Sequence, residues 1–325
     1  MIPIKVDKVS IETNKVLETY TSIRDAARAI GVHKNAIDEA LNKPSRTCKN
    51  FRWKTHNPNQ VVIQTTEAPA KILVLDIETA PMDAWVWDMW KQNIYPSQLI
   101  SNWYILTWAV KWLGEEEVDS DRLTSEEAID QDDSRLLRNL WGYLDEADIV
   151  IAHNGDKFDL PRIKTRFLFN GLNPPSFYKQ IDTLKVAKKE FDFPHNGLEP
   201  IAEFLGIAGK LDTSMDLWVQ CRRGNNAALS KMEEYDIQDV RILEDVYLRL
   251  RPWIKSHPNL DLYIDSSFPN CPHCGSKEVK QISGKYVYTQ AVKYQMFRCP
   301  DCSAICRSKK GIKFNYKKQV SAIPR

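Results

Sequence analysis

The spacing of apolar and polar positions changes along this chain, and each change predicts a different kind of module. In residues 1–56, two strand-like runs, IPIKV and VLETY, are joined by the turn-prone ETNK. SIRDAARAIGVHKNAIDEAL then takes up a helical period. Ile23, Ala26, Ala27 and Ile30 make one apolar face, Gly31 supplies a turn, and Val32, Ile37 and Leu41 make a second face. That is helix–turn–helix spacing. An aromatic strand, NFRWK, closes the module at 50–54, and the proline-containing NPNQVVIQTTEAPA at 57–70 reads as a linker.

From residue 71 the pattern becomes α/β. KILVLDIET carries a continuous apolar run, as a strand covered on both faces does, and ILTWAVKWLG at 105–114 is a second strand. Helical SRLLRNLWGYLDEA precedes the buried strand DIVIAHN at 148–154. Helices then dominate, over 158–170, 182–190, 197–206, 214–222 and 228–251, where Pro252 marks the end. The pattern predicts an α/β core at 71–255, a mixed sheet with flanking helices. A connector at 256–270 leads to a last module at 271–325.

Composition adds two constraints. At 43% hydrophobic and 27% charged, the 325 residues suit a globular protein. No apolar run approaches the ~20 residues of a bilayer span, and MIPIKVDKVS lacks the layout of a signal peptide. A cytoplasmic protein without a membrane partner is expected. The net charge of +2 hides an asymmetry: residues 1–56 carry +5, 271–325 carry +10, and the stretch between carries −13. Basic ends suit phosphate, and an acidic middle suits metal ions.

Three acidic motifs give that middle its chemistry: DIET at 76–79, NGDKFD at 154–159 and YDIQD at 235–239. Asp76 and Glu78, two apart on a strand, point to one face. Asp159 falls at a helix start just after a strand, where open α/β sheets place their sites. Tyr235 and Asp239, four apart on a helix, share a face. Phosphodiester cleavage puts charge on the attacking and leaving oxygens, and two Mg²⁺ or Mn²⁺ ions ~3.5–4 Å apart stabilise both. Such hard cations take carboxylate oxygens. Singly, each group has a plainer role: Asp76 a turn cap, Asp159 a helix N-cap, Tyr235 a core residue, Asp239 a solvated one. Asp182 reads as an N-cap. Asp156 and Asp236 are set aside because neighbours of motif residues normally point elsewhere, and His153 and His195 read as structural.

Together these motifs resemble the DEDD superfamily of 3′–5′ exonucleases, whose fold is RNase H-like. Asp76 and Glu78 match its first motif, Asn154, Phe158 and Asp159 its second, and Tyr235 and Asp239 its third. Glu234 stands where the histidine branch has its His, so the chain is similar to the tyrosine branch. KWLGEE, HNGDKFDLPRIKTRF, IDTLKVAKKEF and DLWVQC resemble free-standing exonucleases of bacteriophages. The resemblance spans about 71–255 and implies two divalent ions on Asp76, Glu78, Asp159 and Asp239. It implies substrate contacts from Asn154 and Phe158, with Tyr235 orienting the attacking water or helping remove its proton.

The last module carries Cys271-Pro-His-Cys274 and Cys299-Pro-Asp-Cys302, a strong signal for one structural Zn²⁺ held by four thiolates. YVYTQAVKYQMFR between the pairs alternates as strands do, so a zinc ribbon is expected; Cys306 and His273 are the alternative ligands. Lys309, Lys310 and Lys313 lie in a basic tail with Phe314 and Tyr316, a composition suited to single-stranded nucleic acid. The N-terminal module resembles the nuclease-associated modular DNA-binding domain of homing endonucleases, which implies groove contacts from His33, Lys34 and Asn35.

The expected function is metal-dependent 3′–5′ exonucleolytic cleavage of single-stranded DNA. RNA trimming on the same scaffold is one alternative, and a DNA-binding protein with an inert core is another. No polymerase domain is evident, so a replicative role would require separate replication proteins as partners. The sequence leaves oligomeric state open.

Overall fold

The computed structural model describes residues 5–11, 16–42, 46–55, 70–207, 213–264 and 269–312. The chain separates into two compact units, Met1–Gln64 and Thr65–Arg325.

In the first unit, β1 (Val6–Ser10), β2 (Val16–Tyr20), α1 (Ile23–Ile30), α2 (Lys34–Asn42) and β3 (Phe51–Thr55) follow in order. The strands form an antiparallel sheet, β2-β1-β3. Ser22 caps α1 by accepting from the Asp25 amide at 3.1 Å, and Gly31 ends it at φ 68°, a conformation natural to glycine. Val6, Tyr20, Ala26, Ala27, Ile37, Ala40 and Trp53 make the core. The first strand lies later than IPIKV suggested. Polar Asp7 and Lys8 join it because Thr19 donates to Asp7 at 2.6 Å and the Lys8 ammonium sits over the Phe51 ring at 4.3 Å. Most of the predicted linker at 57–70 lies outside the described residues.

The second unit is built on a five-stranded sheet. Its elements begin β4 (Ile72–Thr79), β5 (Asp83–Ala84), β6 (Leu99–Ser101), β7 (Ile105–Trp112), β8 (Asp119–Arg122), α3 (Ser125–Asp130), α4 (Ser134–Glu146) and β9 (Ile149–Ala152). They continue with α5 (Asp159–Phe169), β10 (Lys179–Asp182), α6 (Thr183–Glu190), α7 (Leu198–Phe204), α8 (Met215–Arg222) and α9 (Asn226–Leu250). The strand order is β10-β9-β4-β7-β8, with β4 antiparallel to β7 and parallel to β9. This is the mixed sheet expected of an RNase H-like core.

Alternation along β4 and β7 divides the two faces. Leu73, Leu75 and Ile77 pack with Leu136, Leu137, Leu140 and Leu144 of α4. On β7, Thr107 and Lys111 turn to the other face and engage α9. Thr107 donates to Asp236 at 2.7 Å, and the buried Lys111 ammonium pairs with Glu244. Four strand residues rise ~13 Å and eight helix residues ~12 Å, so the two contacts hold α9 along the strand. A buried, bidentate Arg166–Asp133 pair at 2.7 Å ties α5 to the start of α4. Among the described residues, no helix is long and apolar enough to cross a membrane.

Three further antiparallel strands, β11 (Lys280–Tyr288), β12 (Lys293–Arg298) and β13 (Ile305–Arg307), form the C-terminal ribbon. The connector before it is more than a tether. Leu260 is buried and its amide donates to the Pro272 carbonyl at 2.9 Å. The His257 ring stacks on His273 with centroids 5.0 Å apart, and Tyr247 of α9 hydrogen-bonds His257 at 2.8 Å. The ribbon is thereby fastened to the C-terminal end of α9.

Candidate active site

Strand β4 presents Asp76 and Glu78 on the face covered by α9. Glu78 lies opposite Thr107 in the sheet register, and the Thr107 hydroxyl is the donor to Asp236. One cross-strand step therefore carries the chain from the first motif to the third. On α9, Asp236 and Asp239 are three apart and share a face, with Tyr235 beside them. The second motif arrives through a tight turn after β9. Asn154 adopts φ 67°, and a Cβ on Gly155 would come within 2.5 Å of the Ala152 Cβ, so this turn requires glycine. It delivers Asp159 as the first residue of α5.

Asp159 does not serve as a cap. Both its carboxylate oxygens are buried with no hydrogen-bond partner of good geometry, although the Asp159 and Ile77 amides lie near enough to temper the charge. Burial pushes its pKa up to about 7. Burial also raises Asp76 well above the usual carboxylate range, helped by the charges of Asp159, Asp236, Asp239 and Glu78. Glu78 rises to about 7, mainly through burial and against a hydrogen bond from Trp218. Burial takes Asp239 to about 6, partly offset by donation from the Tyr235 phenol. Tyr235 itself is raised by burial and by Asp239 and Glu78, so it stays protonated and acts as a donor.

Asp236, which the sequence reading had set aside, belongs to this cluster. It is fully buried, one oxygen accepts from Thr107, and the other has no partner. The signal was present, because residues three apart on a helix share a face. Two more residues of the cluster were not singled out. Trp218 of α8 donates its indole N–H to Glu78 at 2.9 Å and packs edge-on against Tyr235. Arg162 of α5 lies over the Phe158 ring at 4.1 Å and the Trp103 ring at 5.1 Å, donates to Thr79, and feels the charges of Asp159 and Glu78. A cleft of about 340 Å³ opens here, lined by Thr79, Met82, Trp103, Arg162, Met215 and Trp218 among others.

Other predicted residues have different surroundings. Asp182 caps α6 and accepts from the Leu184 and Lys185 amides, and also from the Asn154 amide at 3.0 Å, which braces the second motif. Asp156 pairs with Lys185. His153 bonds Thr183 and the Asn196 carbonyl, and His195 accepts from the Gly197 amide, so both rings serve the fold. His33, Lys34 and Asn35 are all exposed at the start of α2. Lys309 pairs with Asp261 at 2.8 Å, Lys310 is exposed, and Lys313 lies outside the described residues.

The acidic cluster fits hard divalent cations: it offers only oxygen ligands, several buried and unpartnered, in surroundings that penalise their charge. It is not contracted as around a single ion. Among the described residues, only Cys271, Cys274, Cys299 and Cys302 bring their ligand atoms within 4.8 Å of one another. No three of the described acidic side chains bring carboxylate oxygens that close together. The cysteine sulfurs are 3.6 Å (Cys271–Cys302) and 3.7 Å (Cys274–Cys299) apart. Tetrahedral Zn–S bonds of ~2.3 Å predict edges of ~3.8 Å, so the cluster is compatible with zinc. Neither alternative ligand joins it. Cys306 sits in β13 opposite Phe297, and the His273 ring bonds the Arg251 carbonyl.

Comparison with known proteins matches residues 106–251 to the RNase H superfamily (RNase_H_2). The match begins within β7, beyond the strand that carries Asp76 and Glu78. A search of curated proteins finds no match. Among solved structures, the family B DNA polymerase of the hyperthermophilic archaeon Pyrobaculum calidifontis is similar at 16% identity and a TM-score of 0.44. That similarity covers 57% of this chain and 25% of the polymerase, so the chain spans about a quarter of its length. Residues 106–251 are thus similar to the RNase H superfamily, a similarity that supports a nuclease-type function.

Proposed function

We propose that this protein is a metal-dependent 3′–5′ exonuclease of the tyrosine DEDD type, removing nucleotides from single-stranded DNA ends. The observation that carries this reading is the buried group of carboxylates. Asp159 holds two unpartnered oxygens among acids that raise one another's pKa, an arrangement that at neutral pH and above is unfavourable to a fold unless cations neutralise it. Asp76, Glu78, Asp159 and Asp239 would hold two Mg²⁺ or Mn²⁺ ions. When bound, such ions activate water and stabilise charge on the scissile phosphate. Trp218 holds the Glu78 carboxylate in place, and the Tyr235 phenol, kept protonated, donates to Asp239 and lies where it can orient water. Arg162, braced between Phe158 and Trp103 at the cleft, is placed to meet a phosphate. Phe158 lies under Arg162, and its amide donates to the Asn154 carbonyl at 2.9 Å, so both are proposed as substrate contacts.

The flanking modules fit the reading as nucleic-acid holders. The four cysteines would bind one structural Zn²⁺. His33, Lys34 and Asn35 at the start of α2, and Lys310 on the ribbon, offer exposed polar and basic groups. The protein is read as cytoplasmic. The test is a product ladder from end-labelled DNA and RNA of one sequence, with Mg²⁺ and with chelator. Stepwise Mg²⁺-dependent shortening from the 3′ end of DNA is expected. Faster shortening of RNA would move the assignment to an exoribonuclease, and no product from either would leave a binding protein with an inert core.

A further inference from the structure

Between Met82 and Trp103, both in the wall of the cleft beside Glu78, the chain makes an excursion whose ring-bearing side chains face water. Trp85, Trp87, Trp90 and Tyr95 are 73%, 96%, 77% and 67% exposed. Large rings in such number normally find a partner, since each carries extensive apolar surface.

The base of this arm is firmly built. Strands β5 and β6 pair Asp83 with Ser101 and Ala84 with Leu99, and the Trp85 amide donates to the Gln98 carbonyl at 2.9 Å. The Gln98 side chain returns a bond to the Trp85 carbonyl and accepts from the Tyr95 amide, each at 2.9 Å. Arg222 of α8, itself largely buried, clamps the base by pairing with Asp83 at 2.9 Å and donating to Ser101 and the Pro81 carbonyl. Arg222 lies four residues after Trp218, on the same face of α8. One helix thus fixes both the carboxylate of Glu78 and the root of the arm.

We propose that this arm is a stacking clamp for the single strand whose end lies in the cleft, with Trp87 and Trp90 taking bases upstream of the scissile phosphate. The proposal rests on the nuclease reading of the acidic cluster. Three observations favour a nucleic acid strand over other occupants. The arm springs from the cleft rim at both ends, so a strand leaving the cleft meets it first. Its outermost side chains include aromatic rings, which stack on any base without reading sequence. At the same rim, Arg162 is already held against two rings and supplies the cationic partner.

The test compares two substrates, the oligonucleotide dT12 and the p-nitrophenyl ester of thymidine 5′-monophosphate, which is too short to reach the arm. In Trp87→Ala/Trp90→Ala, KM for dT12 should rise by about tenfold or more. Turnover of the ester should stay unchanged, and Trp87→Phe/Trp90→Phe should recover most of the loss. An unchanged KM for dT12 with wild-type turnover overturns the clamp and leaves the nuclease reading standing. An unchanged KM with loss of a concentration-dependent dimer overturns it in favour of a second copy of this chain. If wild-type protein with Mn²⁺ hydrolyses neither substrate, the nuclease reading falls and the clamp falls with it.

Discussion

The second unit holds two clusters of metal-ligand type, and they are built in opposite ways. The four cysteines come from two short turns, each closed by local bonds: Gly275 N–H to the Cys271 carbonyl, and Ser303 N–H to the Cys299 carbonyl. Their sulfurs already sit at the edge lengths of a tetrahedron. The carboxylates come from β4, α5 and α9, and their mutual repulsion opposes contraction. A thiol cluster is organised by nearby backbone, whereas the acidic one needs the whole sheet and its long helix to bring charges together. The first arrangement is compatible with a structural zinc ion, and the second is the one proposed to take a pair of divalent cations.

The largest effect should come from breaking the thiol side. Cys271→Ser should abolish zinc retention and remove folding free energy on the order of 10 kcal/mol from the ribbon. Zinc content per chain and amide exchange over 271–312 would show it. Because the ribbon is fastened to the end of α9 far from Asp239, hydrolysis of the thymidine ester should persist, and its complete loss would merge the two clusters into one cooperative unit.

On the acidic side, Asp159→Asn should lower turnover by about 10²–10³-fold, the size of a lost charge-stabilising contact. The same change removes a buried, unpartnered charge. In chelator at pH 8 the variant should therefore be more stable than wild type, by on the order of 1 kcal/mol or more. Denaturant titration reads this, and a destabilised variant would mean that Asp159 is held for the fold.

The pH dependence separates the clusters further. Asp239, Glu78 and Asp159 are raised to about 6, 7 and 7 in the folded state. The folded chain therefore binds more protons than the unfolded one between about pH 4 and 7. Stability in chelator should be greatest below that window and fall as pH rises through it. Added Mg²⁺ should reverse the loss above pH 7 and do little at pH 5. Thermal unfolding at a series of pH values, with and without Mg²⁺, checks both signs. Trp218→Phe should have the smallest effect. It removes one hydrogen bond to a carboxylate, about 1.5–3 kcal/mol, and steady-state kinetics should show a roughly tenfold or greater fall in kcat.

How far the sequence revealed these features followed from how local each one was. The Cys-x-x-Cys pairs and the apolar run of β4 are contiguous signals, and both appear where the pattern placed them. The edge strands β8, DSDR, and β10, KQID, escaped notice because edge positions favour charge over apolar alternation. Asp236 was set aside as a neighbour of motif residues, although its spacing of three from Asp239 puts both on one helix face; its bond to Thr107, 129 residues away, had no sequence signal. The Trp218 bond to Glu78 spans 140 residues and had no signal beyond a tryptophan in DLWVQC. Asp7 and Lys8 became strand residues only through partners on neighbouring strands.

The central claim is that the acidic cluster binds a pair of divalent cations. Counting Mn²⁺ per zinc-loaded chain by electron paramagnetic resonance, in wild type and in Asp76→Ala, tests it most directly. Two Mn²⁺ ions per wild-type chain, with the variant losing that binding while keeping its zinc, is the predicted result. Equal Mn²⁺ binding by both proteins would contradict the account.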